Sequence, residues 1–83
     1  MKVKVYFGCI ENSNDLNACR ASLVRANAIV IDSQLDEATG DAIIVCETDD
    51  PDKLDDDLLD DDLLKGVGNN GSGSPYEGMV RRV

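Results

Sequence analysis

The amino-acid sequence predicts one small α+β domain built on an antiparallel sheet. Its 83 residues are enough for one modest hydrophobic core and too few for a second domain. Polar and apolar residues alternate near the amino terminus, as in a half-buried strand, and apolar residues at steps of three and four then indicate a helix. Two β-branched runs joined by a polar connector that contains glycine complete the pattern.

The first strand and the first helix follow from these periods. Residues 2–7 predict a strand with one face toward the core, because every second side chain is apolar. A helix is predicted over residues 14–26, since Asp15 and the polar residues before it suit the positive end of a helix. The apolar stripe of this helix consists of Leu16, Cys19, Leu23 and Ala26.

A hairpin and a second helix are predicted next. The apolar runs at residues 28–31 and 42–46 form the hairpin, and residues 32–41 are expected to connect them. The strand Asp41–Glu47 has no polar residue between its ends, which indicates a central position in the sheet. Asp50 then suits a helix N-cap, and Pro51 suits the first helical position, where no N–H is needed.

The fourth strand has two candidate segments, residues 63–67 and 78–83, separated by a linker rich in glycine and serine. We favour residues 63–67. The order is then β-α-β-β-α-β, the ferredoxin-like architecture, with both helices on one face of a small antiparallel sheet. Residues 1–67 form the domain in this interpretation, and residues 68–83 are a flexible tail or linker that could include a terminal strand.

Negative charge is concentrated in one short segment. The net charge is −9, and residues 49–62 hold nine aspartates and one lysine, hence −8. A net charge of this sign disfavours direct binding to nucleic-acid phosphates, which are themselves negative. Adaptation to high salt would spread acidic residues over the whole surface, so the concentration argues against it.

A five-residue repeat of leucines and aspartates runs through this acidic segment. The second copy is rotated by about 140° from the first on a helix, so one straight helix cannot bury the leucines of both. We therefore predict a helix over about residues 51–59 followed by a turn or a kink. If all 14 residues were helical, they would span about 21 Å, with roughly one carboxylate per 2.3 Å, close to the duplex DNA value of about 1.7 Å.

This charge density predicts an acidic module that binds a basic surface of a partner protein. The most concrete version is an inhibitor that mimics nucleic acid, such as a phage anti-restriction or anti-CRISPR protein, with a basic nucleic-acid-binding protein as its partner. The expected contacts are made by Asp55, Asp56, Asp57, Asp60, Asp61 and Asp62, with Asp49, Asp50 and Asp52 in a secondary role.

Three alternatives stand beside this hypothesis. The acidic run could be a solvated face that serves solubility. The domain could instead be a structural or regulatory module that self-associates as a homodimer through an edge or a face of its sheet. It could also be a small-molecule sensor domain that binds its ligand at a dimer interface. The salt dependence of binding distinguishes the acidic interaction module from a sheet-mediated dimer, because charge-driven binding weakens steeply as the salt concentration rises.

No catalytic or cofactor site is predicted, and the chain is not expected to be an enzyme. It has no histidine, so neither a Ser-His nor a Cys-His pair can form. Cys9, Cys19 and Cys46 fit buried, reduced thiols better than nucleophiles or metal ligands. The acidic run lacks the EF-hand spacing, and the G-x-G-x-x-G match at residues 66–71 precedes no helix start, so neither a metal nor a dinucleotide site is expected.

A cytoplasmic location is expected, which would be the host cytoplasm for a viral protein. The longest apolar run is five residues, far below the roughly 20 that a membrane helix needs. The amino terminus alternates lysine with valine and so lacks the apolar block of a secretory signal.

Overall fold

The computed structural model describes residues 1–8, 10, 13–36, 38–64 and 79–83. Within these ranges the chain forms a four-stranded antiparallel sheet and two α-helices, which confirms the predicted α+β class. The strands lie in the order β2-β3-β1-β4. The elements are β1 (Lys2–Phe7), α1 (Ser13–Arg25), β2 (Ile29–Asp36), β3 (Asp41–Glu47), α2 (Pro51–Leu59), a 3-10 turn (Asp62–Leu64) and β4 (Val80–Arg82).

The two central strands pair along their whole length. β1 and β3 are antiparallel, with a register that runs from Lys2 opposite Glu47 to Phe7 opposite Ala42. Alternate side chains of both strands are buried in one core together with residues of the helices. The predicted bounds of β3 and its central position are confirmed, since β3 pairs with both β1 and β2.

The hairpin is confirmed, but its first strand is longer than the sequence predicts. Residues 32–36, expected to form the connector, belong to β2 and pair with β3. Ser33 and Leu35 are half-buried at alternate positions, and this short period-two pattern explains the extension. A register shift between Val30 and Asp32 leaves Ile31 exposed, while Gly40 supplies the positive φ of 76° that the turn requires.

One hydrophobic core joins the sheet to the helices. Helix α1 is shifted by one residue from its predicted bounds and buries Cys19 and Leu23, together with a hydroxyl that was not expected in the core, that of Ser22. Helix α2 adds Leu54 and Leu58. Neither helix of the described ranges has the length and apolar content that a bilayer crossing requires.

The preferred position of the fourth strand is wrong. Strand β4 is Val80–Arg82, inside the second candidate segment, and it pairs with β1 so that Val80 lies opposite Val5. Asp62–Leu64 forms a 3-10 turn instead, and residues 65–67 lie outside the described residues. The turn packs against α1 with Leu64 fully buried, so the chain is still in the helical layer at this point. The predicted tail or linker covers residues 68–83; of these, residues 68–78 lie outside the described residues, Met79 is buried in the core, and β4 follows it.

Candidate functional site: the acidic segment around α2

The start of α2 follows the predicted capping pattern. Asp50 has extended backbone angles, and its Oδ1 accepts a hydrogen bond of 3.2 Å from the backbone N–H of Lys53. Pro51 occupies the first helical turn, where the absence of an N–H has no cost. The prediction for both residues is confirmed. Asp49 and Asp50 are exposed immediately before the helix.

The helix ends at Leu59, which confirms the predicted break within the leucine repeat. Leu54 and Leu58 of the first copy are buried, whereas Leu59 is half-buried and Leu63 is 40 % exposed. A nine-residue helix is about 13.5 Å long and carries four of the nine aspartates. The segment is therefore not one helix of 14 residues, and the density of about one carboxylate per 2.3 Å calculated for such a helix does not apply.

Three aspartates form a line on the outer side of this helix. Asp52, Asp56 and Asp60 are exposed and follow one another at steps of four, on the side of the helix axis opposite Leu54 and Leu58. Asp60 follows the last helical residue and keeps helical backbone angles, with a φ of −93°, so it continues the line. We call Asp52, Asp56 and Asp60 the outer stripe.

The other two helical aspartates lie on opposite flanks of α2. Asp57 is exposed on the flank toward α1, where its Oδ2 lies 4.0 Å from Nζ of Lys53. Together with Ala26 it lines two adjacent clefts between the end of α1 and α2, with volumes of about 190 and 270 Å³. Asp55 is half-buried on the other flank. The structure thus does not bring Asp55, Asp56 and Asp57 to a common face.

Asp61 points into the protein rather than toward a partner. Its Oδ2 accepts a 2.6 Å hydrogen bond from Oγ of Ser22, and its Oδ1 accepts from the Leu63 N–H at 2.9 Å and from Arg25 at 3.1 Å. The Asp61 side chain is only 8 % exposed. Burial alone would raise the pKa of its carboxyl, but the Ser22 and Leu63 hydrogen bonds and the Arg25 charge outweigh burial and lower the pKa.

The remaining predicted residue of the set, Asp62, is exposed at the start of the 3-10 turn. The exposed members of the predicted site are therefore Asp49, Asp50, Asp52, Asp56, Asp57, Asp60 and Asp62. Sequence reasoning missed the residues that hold the segment to α1, Ser22 and Arg25. A polar residue three positions after Cys19, on the stripe that faces the core, was the available signal for Ser22.

Several basic residues lie on the sheet rather than in the helical layer. Lys2 and Lys4 alternate with the buried valines of β1, so their side chains point away from the helices. Arg81 of β4 stacks over the ring of Tyr6, with its guanidinium carbon 4.8 Å from the ring centroid. Both layers hold charges of both signs, since the helices also carry Arg20, Arg25 and Lys53 and the strands β2 and β3 carry exposed acidic residues.

The described thiols lie in the core, as predicted. Cys19 and Cys46 are free and fully buried. Burial, with the nearby charges of Asp15 and Glu47, raises the pKa of Cys19 to about 12 and that of Cys46 to about 11. Cys9 lies outside the described residues. In the described ranges, no three His, Cys, Asp or Glu side chains are grouped so that they could hold a metal ion.

Comparisons of the chain with protein-family models, with curated proteins and with solved structures find no match.

Proposed function

We propose that the protein is an acidic interaction module, not an enzyme, and that its outer stripe docks on a basic, nucleic-acid-binding surface of a partner protein. The most concrete form of this proposal is a cytoplasmic inhibitor that occupies the place of a nucleic acid, of the type that phages use against host restriction or CRISPR nucleases. Asp49, Asp50, Asp57 and Asp62 extend the contact on either side of the stripe.

The observation that carries the proposal is the exposure of Asp52, Asp56 and Asp60 on one side of a helix whose other side is anchored in the core. Arginine and lysine on a partner can approach such a line without displacing apolar contacts. The carboxylates of the outer stripe follow one another at steps of four residues, or about 6 Å along the helix axis, so they can stand in for roughly every second phosphate of one DNA strand, where the axial spacing is about 3.4 Å.

Both ends of the acidic helix are fixed before any partner binds. Asp50 caps its start, and Asp61 ties the segment after its end to Ser22 and Arg25. A helix that is already ordered loses little conformational entropy on binding, so more of the charge attraction appears as affinity. Asp61 is thus assigned to holding the surface in place, the outer stripe to the contact itself, and Asp50 to both the cap of the helix and the edge of the contact.

The scaffold proposed for this surface is the ferredoxin-like architecture. The element order is strand, helix, strand, strand, helix and strand, with a 3-10 turn after the second helix, and β1 and β3 are the central strands. Buried residues of both helices and of alternate strand positions belong to one core, which supports helices on a single face of the sheet.

A capture experiment tests the proposal. The immobilised wild-type protein is incubated with a bacterial cell extract, and the retained proteins are identified by mass spectrometry and challenged with a DNA duplex of about 30 base pairs. We expect basic nucleic-acid-binding proteins to be retained, to be displaced by the duplex, and to bind about tenfold or more weakly at 200 mM than at 50 mM salt.

Two triple variants distinguish the effect of the outer stripe on binding from the effect of net charge. Replacing Asp52, Asp56 and Asp60 by Asn removes the stripe, and replacing Asp32, Asp36 and Asp41 by Asn removes the same charge from the hairpin. Retention should be lost with the first variant and kept with the second, with both shown to be folded by circular dichroism. Equal retention by the two variants would reject the outer stripe as the contact, and retained proteins that resist the duplex would reject nucleic-acid mimicry.

A further inference from the structure

The side of the sheet that faces away from the helices has an apolar centre. Tyr6 of β1 lies directly opposite Ile43 of β3, and Lys4 lies opposite Val45, all of them half-buried. Because strand side chains alternate, these residues share the face that does not point into the core. We call this surface the open face. A shallow hollow lined by Tyr6, Gly8, Asp41 and Ile43 lies at one end of it.

The charges on the open face are separated by strand. Lys2, Lys4 and Arg81 lie on the half formed by β1 and β4. Asp32, Asp36, Asp41 and Glu47 lie on the half formed by β2 and β3, where Glu47 Oε1 also accepts a hydrogen bond of 3.0 Å from the amino-terminal ammonium of its own chain. Across the sheet, Asp32 is in register with Val45, Lys4 and Arg81, so this row runs from an acidic edge through one apolar side chain to two basic ones.

We propose that the open face binds a second copy of this chain, face to face, about a two-fold axis that runs parallel to the central strands. Such a rotation reverses the order of the strands, so that β2 and β3 of one copy lie over β4 and β1 of the other. The acidic half of each copy then covers the basic half of its partner, and the apolar centres meet.

This symmetry predicts specific residue pairs, because each row of residues across the sheet of one copy faces the same row of the other copy. Asp32 faces the partner's Arg81, Glu47 faces the partner's Lys2, and Ile43 packs on the partner's Tyr6. A two-fold axis perpendicular to the strands would instead place β2 over β2 and bring the acidic edges together. Electrostatic complementarity therefore selects one of the two symmetric arrangements.

The arrangement also keeps the acidic helices apart. The sheets occupy the centre of the dimer, and α2 lies in the outer layer of each copy, so the two outer stripes point in opposite directions. Strands of six, eight, seven and three residues, about 4.8 Å apart, cover roughly 400 Å² of sheet in each copy, which places the contact at the small end of specific interfaces. We expect a dimer that dissociates in the micromolar range.

A charge exchange between Asp32 and Arg81 tests this dimer. The two residues lie on opposite edge strands, three strand spacings or about 14 Å apart, so they cannot pair within one copy. The variants Asp32→Arg and Arg81→Asp each place like charges across both symmetric contacts. We expect each to weaken dimerisation at least tenfold in sedimentation velocity between 1 and 500 μM, as a rough working range, and the double variant to restore it.

Restored dimerisation of the double variant would be decisive, because residues 32 and 81 can form an ion pair only between two copies. Ile43→Asp is the second probe, since it places a charge in the apolar centre without touching the helical layer. It should leave the chain monomeric with an unchanged circular dichroism spectrum. A wild type that stays monomeric at all concentrations, single variants that dimerise normally, or a double variant that stays monomeric would each overturn the proposal.

Discussion

Ser22 Oγ donates a hydrogen bond of 2.6 Å to Asp61 Oδ2, across 39 residues of sequence. Ser22 is fully buried in α1, and Asp61 follows α2, so this bond fixes the end of the acidic helix to the other helix. The Leu63 N–H and Arg25 bind the second oxygen of the same carboxylate. Asp61 therefore serves the scaffold, although in sequence it is one of a series of similar aspartates.

Removal of this network should lower stability. Ser22→Ala leaves Asp61 with its other partners and should reduce the free energy of unfolding by about 1 kcal/mol, and Asp61→Ala, which removes a charged acceptor from three donors, by about 2–3 kcal/mol. Urea denaturation followed by circular dichroism measures both. Asp56→Asn, at an exposed position of the outer stripe, is the control and should change stability by less than about 0.5 kcal/mol. Equal effects of Asp61→Ala and the control would contradict this role.

The lowered pKa of Asp61 predicts a pH dependence of stability. A group whose pKa is lower in the folded state than in the unfolded state stabilises the fold above the unfolded-state value of about 3.9, and this contribution disappears as the pH falls through the folded pKa. The wild type should therefore lose more stability than Asp61→Asn when the pH falls from about 5 to 2. Urea unfolding at a series of pH values gives the free energy of unfolding of both proteins as a function of pH. Parallel curves for the wild type and Asp61→Asn would refute the lowered pKa of Asp61.

The N-cap of α2 should be sensitive to substitution of a single carboxylate. Asp50→Ala removes the acceptor for the Lys53 N–H and should reduce stability by about 0.5–2 kcal/mol, whereas Asp50→Ser should preserve most of it. Asp49→Ala removes the same charge from the neighbouring position and is the matched control. If the two alanine variants had the same midpoint in urea, charge repulsion rather than capping would govern this end of the helix.

The two copies of the leucine repeat should differ in their contribution to stability. Leu58→Ala opens a cavity in a fully buried site and should reduce stability by about 2–5 kcal/mol. Leu63→Ala, at the corresponding position of the second copy, affects a side chain that is 40 % exposed and should reduce stability by less than about 1 kcal/mol. Thermal unfolding of the pair gives this comparison directly, and similar losses would place both leucines in the core.

The buried thiols should react only after the chain unfolds. With pKa values of about 12 and 11, Cys19 and Cys46 are almost entirely protonated at pH 8, about one part thiolate in 10,000 and 1,000. In the Cys9→Ser variant, which leaves these two thiols, labelling by iodoacetamide should be slow in buffer and fast in 8 M urea. Rapid labelling of the folded variant would show that one of the two sites is open to solvent.

Local patterns in the sequence were sufficient to predict much of the fold. The strands β1 and β3, the helix bounds to within a residue, the cap at Asp50 and the end of α2 near Leu59 depend on periodicity and on neighbouring residues. The extension of β2 to Asp36 was missed because polar residues on its exposed face resemble a connector.

The sequence by itself determined where the negative charge lies and that one helix could not bury both leucine copies, since composition and helical angles are properties of the chain alone. Only the tertiary structure decided which segment completes the sheet and which aspartates remain at the surface. Strand pairing, like the Ser22 to Asp61 bond, joins residues that are distant in sequence. Nothing near Asp61 in the chain distinguishes it from Asp60 or Asp62. Its role depends on the approach of α1, which local patterns do not encode.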